Sequence, residues 1–303
     1  MEIVVVDYRL CAFTYAFHKH KPINEVFSQL SQLLLAKSIK PTKLIFAVDI
    51  GTPKRREVYP NYKIHRKEIV KRQKPEEQRR RQQFEEDYKS SLKWLHHFGS
   101  VMDINGVEAD DIGSIIAHRF ADTEYKVTLV TSDKDWSSFL VADNIRVLHI
   151  DRNKFITNYN CEFEYDLDPL GIFWMQCFAG SDKENVKGIH KFGPKTFKKF
   201  YDETEKDFDV LAEKIKEEVL DKKFRGASLP EGITFEELYK LNYKLFKPVL
   251  FEELSKEDQD AFMKKFHVSN ATSYDDMMLE LLTDYNIPMF LSLTEQTLYK
   301  FKK

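Results

Sequence analysis

Cysteine is scarce: Cys11, Cys161 and Cys177 form neither a C-x-x-C pair nor an even set among 303 residues. That pattern excludes a disulfide framework and lends nothing to a zinc site. Reduced, buried thiols are expected, as in a cytoplasmic protein. No apolar run approaches the length needed to cross a bilayer, so a membrane is not among the expected partners. The chain opens on the apolar stretch Glu2-Ile3-Val4-Val5-Val6-Asp7, and no signal peptide is expected. Internal repeats and low-complexity linkers are missing too, which makes any boundary near residue 180 an intimate one. At 42% hydrophobic and 32% charged the composition is that of a soluble globular chain, one large domain or two modest ones.

A net charge of −2 hides an uneven distribution: residues 53–81 hold 12 Lys+Arg against 4 Glu. The first half alternates strand and helix patterns. Strands are expected at 2–7, 43–49, 101–104, 126–131 and 145–150, with helices ending near Ala36, across 76–98 and across 112–120. That alternation predicts an α/β fold, a parallel sheet covered by helices. From Pro169 onward the period becomes helical, with helices at 170–179 and 195–201 around a turn marked by Gly188 and Gly193-Pro194.

Acidic residues recur where strands end: Asp7, Asp49, then Asp133 and Asp135. Glu108-Ala109-Asp110-Asp111 opens a further helix. Any one carboxylate could simply cap the next helix. Strand ends in an open parallel sheet face a common crevice, however, and several like charges there repel. No cationic partner is obvious, and a shared divalent cation is the simplest remedy. Two ions about 4 Å apart could clamp the attacking water and the leaving oxygen of a phosphodiester.

The stretch from Arg55 to Arg66 interleaves cations with Tyr59 and Tyr62, a combination suited to single-stranded nucleic acid. For 78–83 a solvated helix face is the plainer reading, with the arginines pairing to Glu76, Glu77 or Glu85. The run from Asn185 to Lys199 carries 5 Lys and no acid; it is either an ordinary helix hairpin or a phosphate-binding one.

In order, the first-strand Asp7, Asp49, Gly106-Val107-Glu108-Ala109-Asp110-Asp111, Thr131-Ser132-Asp133-Lys134-Asp135 and the segment Gly180 to Gly188 with its Gly-x-Lys-Thr turn resemble the 5′-nucleases, or flap endonucleases, especially the bacteriophage-type members. The resemblance runs from residue 3 to about 200. It implies a nuclease domain over 1–180, with a basic helical arch at about 53–98. Residues 181–303 would follow as a helix–three-turn–helix and a C-terminal helical region.

The resemblance also implies two Mg²⁺ ions, with Mn²⁺ able to substitute. One site would use Asp7, Asp49, Glu108 and Asp110 with Asp111 nearby, and the second Asp133 and Asp135. Of the family's two further aspartates, one is Ser181 here and the other Glu184, with Asp182 adjacent. By the same likeness Lys63 contacts the scissile phosphate, Tyr62 stacks on a terminal base, and Arg56 or Arg55 holds a phosphate. Arg66 and Lys67 would lie along the arch. Lys187, Lys191, Lys195, Lys198 and Lys199 would grip duplex DNA, with K⁺ held at the hairpin.

The expected activity is Mg²⁺-dependent 5′-3′ exonuclease or flap endonuclease cleavage of branched or nicked duplex DNA, RNA–DNA hybrids included. The chain would act as a monomer in replication and repair, with a sliding clamp or single-strand-binding protein as a partner. A junction-binding protein whose second site has decayed is one rival, resting on Ser181. A small RNase with the same acidic crevice is the other.

Overall fold

The computed structural model describes residues 1–19, 23, 25–222 and 224–267, apart from the side chains of 67–69 and 94. Six strands, β1 (Glu2–Asp7), β2 (Lys43–Ala47), β3 (Ser100–Met102), β4 (Lys126–Thr131), β5 (Ile145–His149) and β6 (Lys154–Ile156), form one sheet in the order β3-β2-β1-β4-β5-β6. All pairings are parallel except β5 with β6. Strand order reverses at β1, so the crevice for a ligand opens above the carboxyl ends of β1, β2 and β4.

The sheet is covered on both faces, which is why its strands read as nearly unbroken apolar runs. Ile3 and Val5 of β1 point one way, Val4 and Val6 the other, as the two-residue period of a strand requires. The Val4/Val6 face packs under α1 (Tyr8–Ala12), a π-helical turn (Phe13–His18), α2 (Glu25–Ala36) and α5 (Pro75–Ser91). In α2 the buried residues Val26, Phe27, Leu30, Leu33 and Leu34 repeat at helical spacing. Between β2 and α5 lie two short helices, α3 (Arg55–Val58) and α4 (Arg66–Arg72).

The Ile3/Val5 face packs against α6 (Ala109–Arg119), α8 (Pro169–Ala179), α9 (Pro194–Asp202), α10 (Phe208–Lys214), α11 (Phe235–Phe246) and α12 (Lys256–His267), while α7 (Cys161–Tyr165) buries Cys161 there. One continuous core thus runs from Ile3 to Phe262. It crosses the expected boundary at residue 180.

Some expectations need correction. The helix expected over 76–98 is α-helical only to Ser91 and tightens into 3₁₀ turns over Leu92–His97. Asp7 passes directly into α1 with no loop. β6 and α7 had no clear periodicity, being three and five residues long. All three cysteines are free and buried. Among the described residues, no helix is long and apolar enough to cross a membrane.

Candidate metal centre and nucleic-acid interface

Each strand-end carboxylate accepts a backbone N–H. Asp7 Oδ1 accepts from the Leu10 N–H (3.1 Å), and its Oδ2 accepts from the Thr131 hydroxyl (3.2 Å) at the end of β4. Asp49 accepts from the Ala109 N–H (2.6 Å), tying β2 to the start of α6 across 60 residues. Asp133 accepts from the Asp135 N–H (3.1 Å). Capping and convergence therefore hold together.

Charge accumulates in this half of the crevice. Burial, reinforced by the nearby charges of Asp49 and Asp133, pushes the Asp7 carboxyl up to about 7. Burial and Asp133 push Asp135 up to about 6. Asp135 Oδ1 is buried without a hydrogen-bond partner. Crowded carboxylates and an orphaned carboxylate oxygen are the donor set that a hard divalent cation takes. Lys183 stands 3.7 Å from Asp133.

The other half is different, and corrects the expectation that cationic partners are missing. Glu108, Asp110 and Asp111 can bring one oxygen each within 4.8 Å of one another. Arg55 lies among them, 2.6 Å from Glu108, 2.6 Å from Asp111 and 3.6 Å from Asp110. Lys63 pairs with Glu108 and stands 3.1 Å from Glu184, which Arg66 also meets at 3.0 Å. Burial alone would raise Asp110, but the charges of Arg55 and Lys63 outweigh it and hold its carboxyl below the ordinary value. Asp111 also closes a capping box, its Oδ2 accepting from the Glu108 N–H (3.0 Å).

Three expected roles change. Arg55 is not free for a phosphate: its Nε donates to the Leu245 carbonyl (2.8 Å) and its terminal nitrogens to Glu108 and Asp111. Tyr62 is 3% exposed, packed with Val186 and Leu245, and offers no face to a base. Asp182 is exposed and does not join the acidic cluster; it lines a cavity of about 750 Å³ with His65, Arg66, Arg81 and Lys187.

Arg56 donates through Nε to the Tyr62 carbonyl (2.8 Å). Lys63 adopts a left-handed backbone, φ 55°, with its N–H on the Glu184 carbonyl (2.8 Å). The Lys67 side chain lies outside the described residues. Arg80 and Arg81 sit over the Phe17 and Phe13 rings (4.2 and 5.5 Å), and Glu85, one of the expected partners for 78–83, pairs with Arg9. Lys187, Lys191, Lys195 and Lys199 are exposed. Lys198 is engaged by Glu162 and Asp202, both at 3.2 Å. Sequence reasoning missed Lys183 and Thr131 as neighbours of the acids, although both stand inside the motifs that were read.

Comparison with known proteins gives this arrangement a lineage. A 5′-3′ exonuclease from Buchnera aphidicola (subsp. Schizaphis graminum) is 25% identical over 205 residues, 64% of this chain and 67% of its own length. One from Aquifex aeolicus is 26% identical over 182 residues, 58% of this chain and 57% of its own. The bacteriophage T5 protein co-crystallised with metal ions shares the fold, with TM-score 0.71 at 19% identity, covering 88% of this chain and 98% of that one. A family model described as the 5′-3′ exonuclease N-terminal resolvase-like domain matches residues 6–166, a span that runs from the end of β1 through β6 and takes in all the strand-end acids. The chain belongs to the 5′-3′ exonuclease family.

Proposed function

We propose that this chain is a divalent-metal-dependent 5′-nuclease acting on the 5′ ends of branched or nicked duplex DNA, with RNA primers as further substrates. The observation that carries this reading is the split crevice. One half holds crowded, proton-retaining carboxylates around Asp7 and Asp135; in the other, Arg55 and Lys63 stand among Glu108, Asp110 and Asp111, although burial still holds the Asp111 carboxyl up at about 7.

Asp7, Asp49, Asp110, Asp133 and Asp135 would hold Mg²⁺, or Mn²⁺ in its place, and Glu108 would complete the set. Bound there, the ions would lower the pKa of a water and offset charge on the phosphodiester. Lys63, released from Glu108 when a phosphate arrives, would stabilise the charge that develops on it. Arg66 and Lys183, at the mouth of the neighbouring cavity, would draw in the single-stranded 5′ end. Lys187, Lys195 and Lys199 would hold duplex phosphates without reading base sequence. Lys191 takes a left-handed backbone, φ 60°. The hairpin therefore keeps the turn that a glycine would make, which supports a K⁺ site built from its carbonyls.

A junction-binding protein that does not cut is the second reading. It is favoured by Asp182 being exposed and outside the acidic cluster, and by Glu184 being held by Lys63 and Arg66. A substrate panel separates the possibilities. With Mg²⁺ present, products from a 5′-flap duplex, a nicked duplex, an RNA–DNA hybrid and single-stranded RNA would be sized side by side. Cutting at the flap junction is expected. Cutting confined to single-stranded RNA would sink the proposal.

A further inference from the structure

The C-terminal helices carry no motif that explains them, yet one turn of α11 touches three parts of the site. Asn242 is 1% exposed, and its Nδ2 donates both to the Cys177 carbonyl of α8 (3.0 Å) and to the Lys187 carbonyl of the lysine hairpin (2.9 Å). Three residues on, along the same helix face, the Leu245 carbonyl accepts from Arg55 Nε (2.8 Å). The Leu245 side chain closes a small cluster with Tyr62 of the arch base and Val186 of the hairpin.

The hairpin itself is rigidly seated. Gly188 lies so close to α8 that a Cβ there would stand 2.0 Å from the Ala179 carbonyl. Ser181 and Val186 exchange two backbone hydrogen bonds (2.9 Å each). The Asn185 side chain reaches the Asn61 carbonyl (2.8 Å).

Asn242 is an odd choice for this place if packing were its only task. Its Oδ1 is buried with no hydrogen-bond partner, a penalty that an apolar residue would avoid. What the amide supplies is a two-pronged donor that fixes the hairpin to α8 at a set height above the crevice. We propose that Asn242 is a positioning residue: through α11 it sets the distance between the duplex-gripping hairpin and the carboxylates around Arg55, and so fixes the phosphodiester at which the chain cuts. This rests on the nuclease reading above.

The test is the position of the cut. A flap duplex labelled on the strand that is cut would be given to the wild type, to Asn242→Leu and to Val219→Ala. Val219 is fully buried in the π-helical segment Ile215–Asp221, and its truncation gives a general loss of stability. Wild type and Val219→Ala are expected to share one dominant product. Asn242→Leu is expected to spread its products over two or more neighbouring positions, with turnover at the main position down roughly tenfold.

If Asn242→Leu does not fold, Asn242→Ser carries the test. Its shorter hydroxyl offers a single donor, and the same spreading is expected. A product pattern from either folded variant that matches Val219→Ala would overturn the positioning role while leaving the nuclease reading intact. A wild type that cuts no substrate overturns that reading, and the inference with it.

Discussion

Arg55 meets Asp111 through two hydrogen bonds, 3.1 Å from Nη1 and 2.6 Å from Nη2, at the head of α6. A guanidinium fork on a carboxylate is the geometry that point-charge lysine cannot copy. Here it sits with 14% of its side chain exposed and turns an acidic cluster into a matched ion set. Burial works against the Arg55 charge, but Asp111, Asp110 and Glu108 together hold it well above its ordinary range.

Removing that fork strands buried charge. Arg55→Leu is expected to cost about 3–5 kcal/mol of stability, the usual penalty for breaking a buried pair. Arg55→Lys should recover only part of it. Urea denaturation of the three proteins checks this, and a loss below about 1 kcal/mol would mean that the cluster relaxes into solvent.

Asp7 and Asp135 give a pH dependence with a definite sign. Both carboxyls are raised, to about 7 and about 6, so between roughly pH 4 and 7 the folded chain holds protons that the unfolded chain has released. Their contribution to stability is full below pH 4 and is lost as pH rises through 6 to 7. In EDTA, Tm is therefore expected to fall between pH 5 and 8. In Mg²⁺ the fall should shrink, because the cation takes the place of the protons. Equal slopes in both buffers would argue against these two groups as ligands.

Asp133→Ala should separate binding from cutting. Cleavage is expected to disappear while affinity for a flap duplex changes less than about threefold. Wild-type turnover in this variant would remove Asp133 from the centre.

The hairpin lysines should not be equivalent. Lys195 is exposed, whereas Lys198 already pairs with Glu162 and Asp202. Lys195→Ala is expected to lower the slope of log K against log salt by about one, uniformly across duplex sequences. Lys198→Ala should change it by less than half as much. Binding isotherms at four salt concentrations decide this.

Much of the fold was legible because strand and helix periods differ so clearly. β1, β4 and α2 carry their burial in their spacing, and the strand-end acids followed from placing those strands. What could not be read was the third dimension of the cations. Arg55 and Lys63 stand 53 and 45 residues from Glu108, and nothing local marks either as its partner. Tyr62 looked like a stacking ring because its neighbours are charged; its burial depends on Val186 and Leu245, far along the chain. β6 and α7 are too short for any period to show.

Cleavage and binding of a 5′-flap duplex, followed in parallel across a Mg²⁺ titration from an EDTA-treated sample, test the central claim most directly. The expected result is binding at every concentration with cutting near the junction that appears only as Mg²⁺ rises, to a level consistent with a weakened second ion site. Tight binding with no product at any Mg²⁺ or Mn²⁺ concentration would contradict it, and would make this member of the family a junction-binding protein.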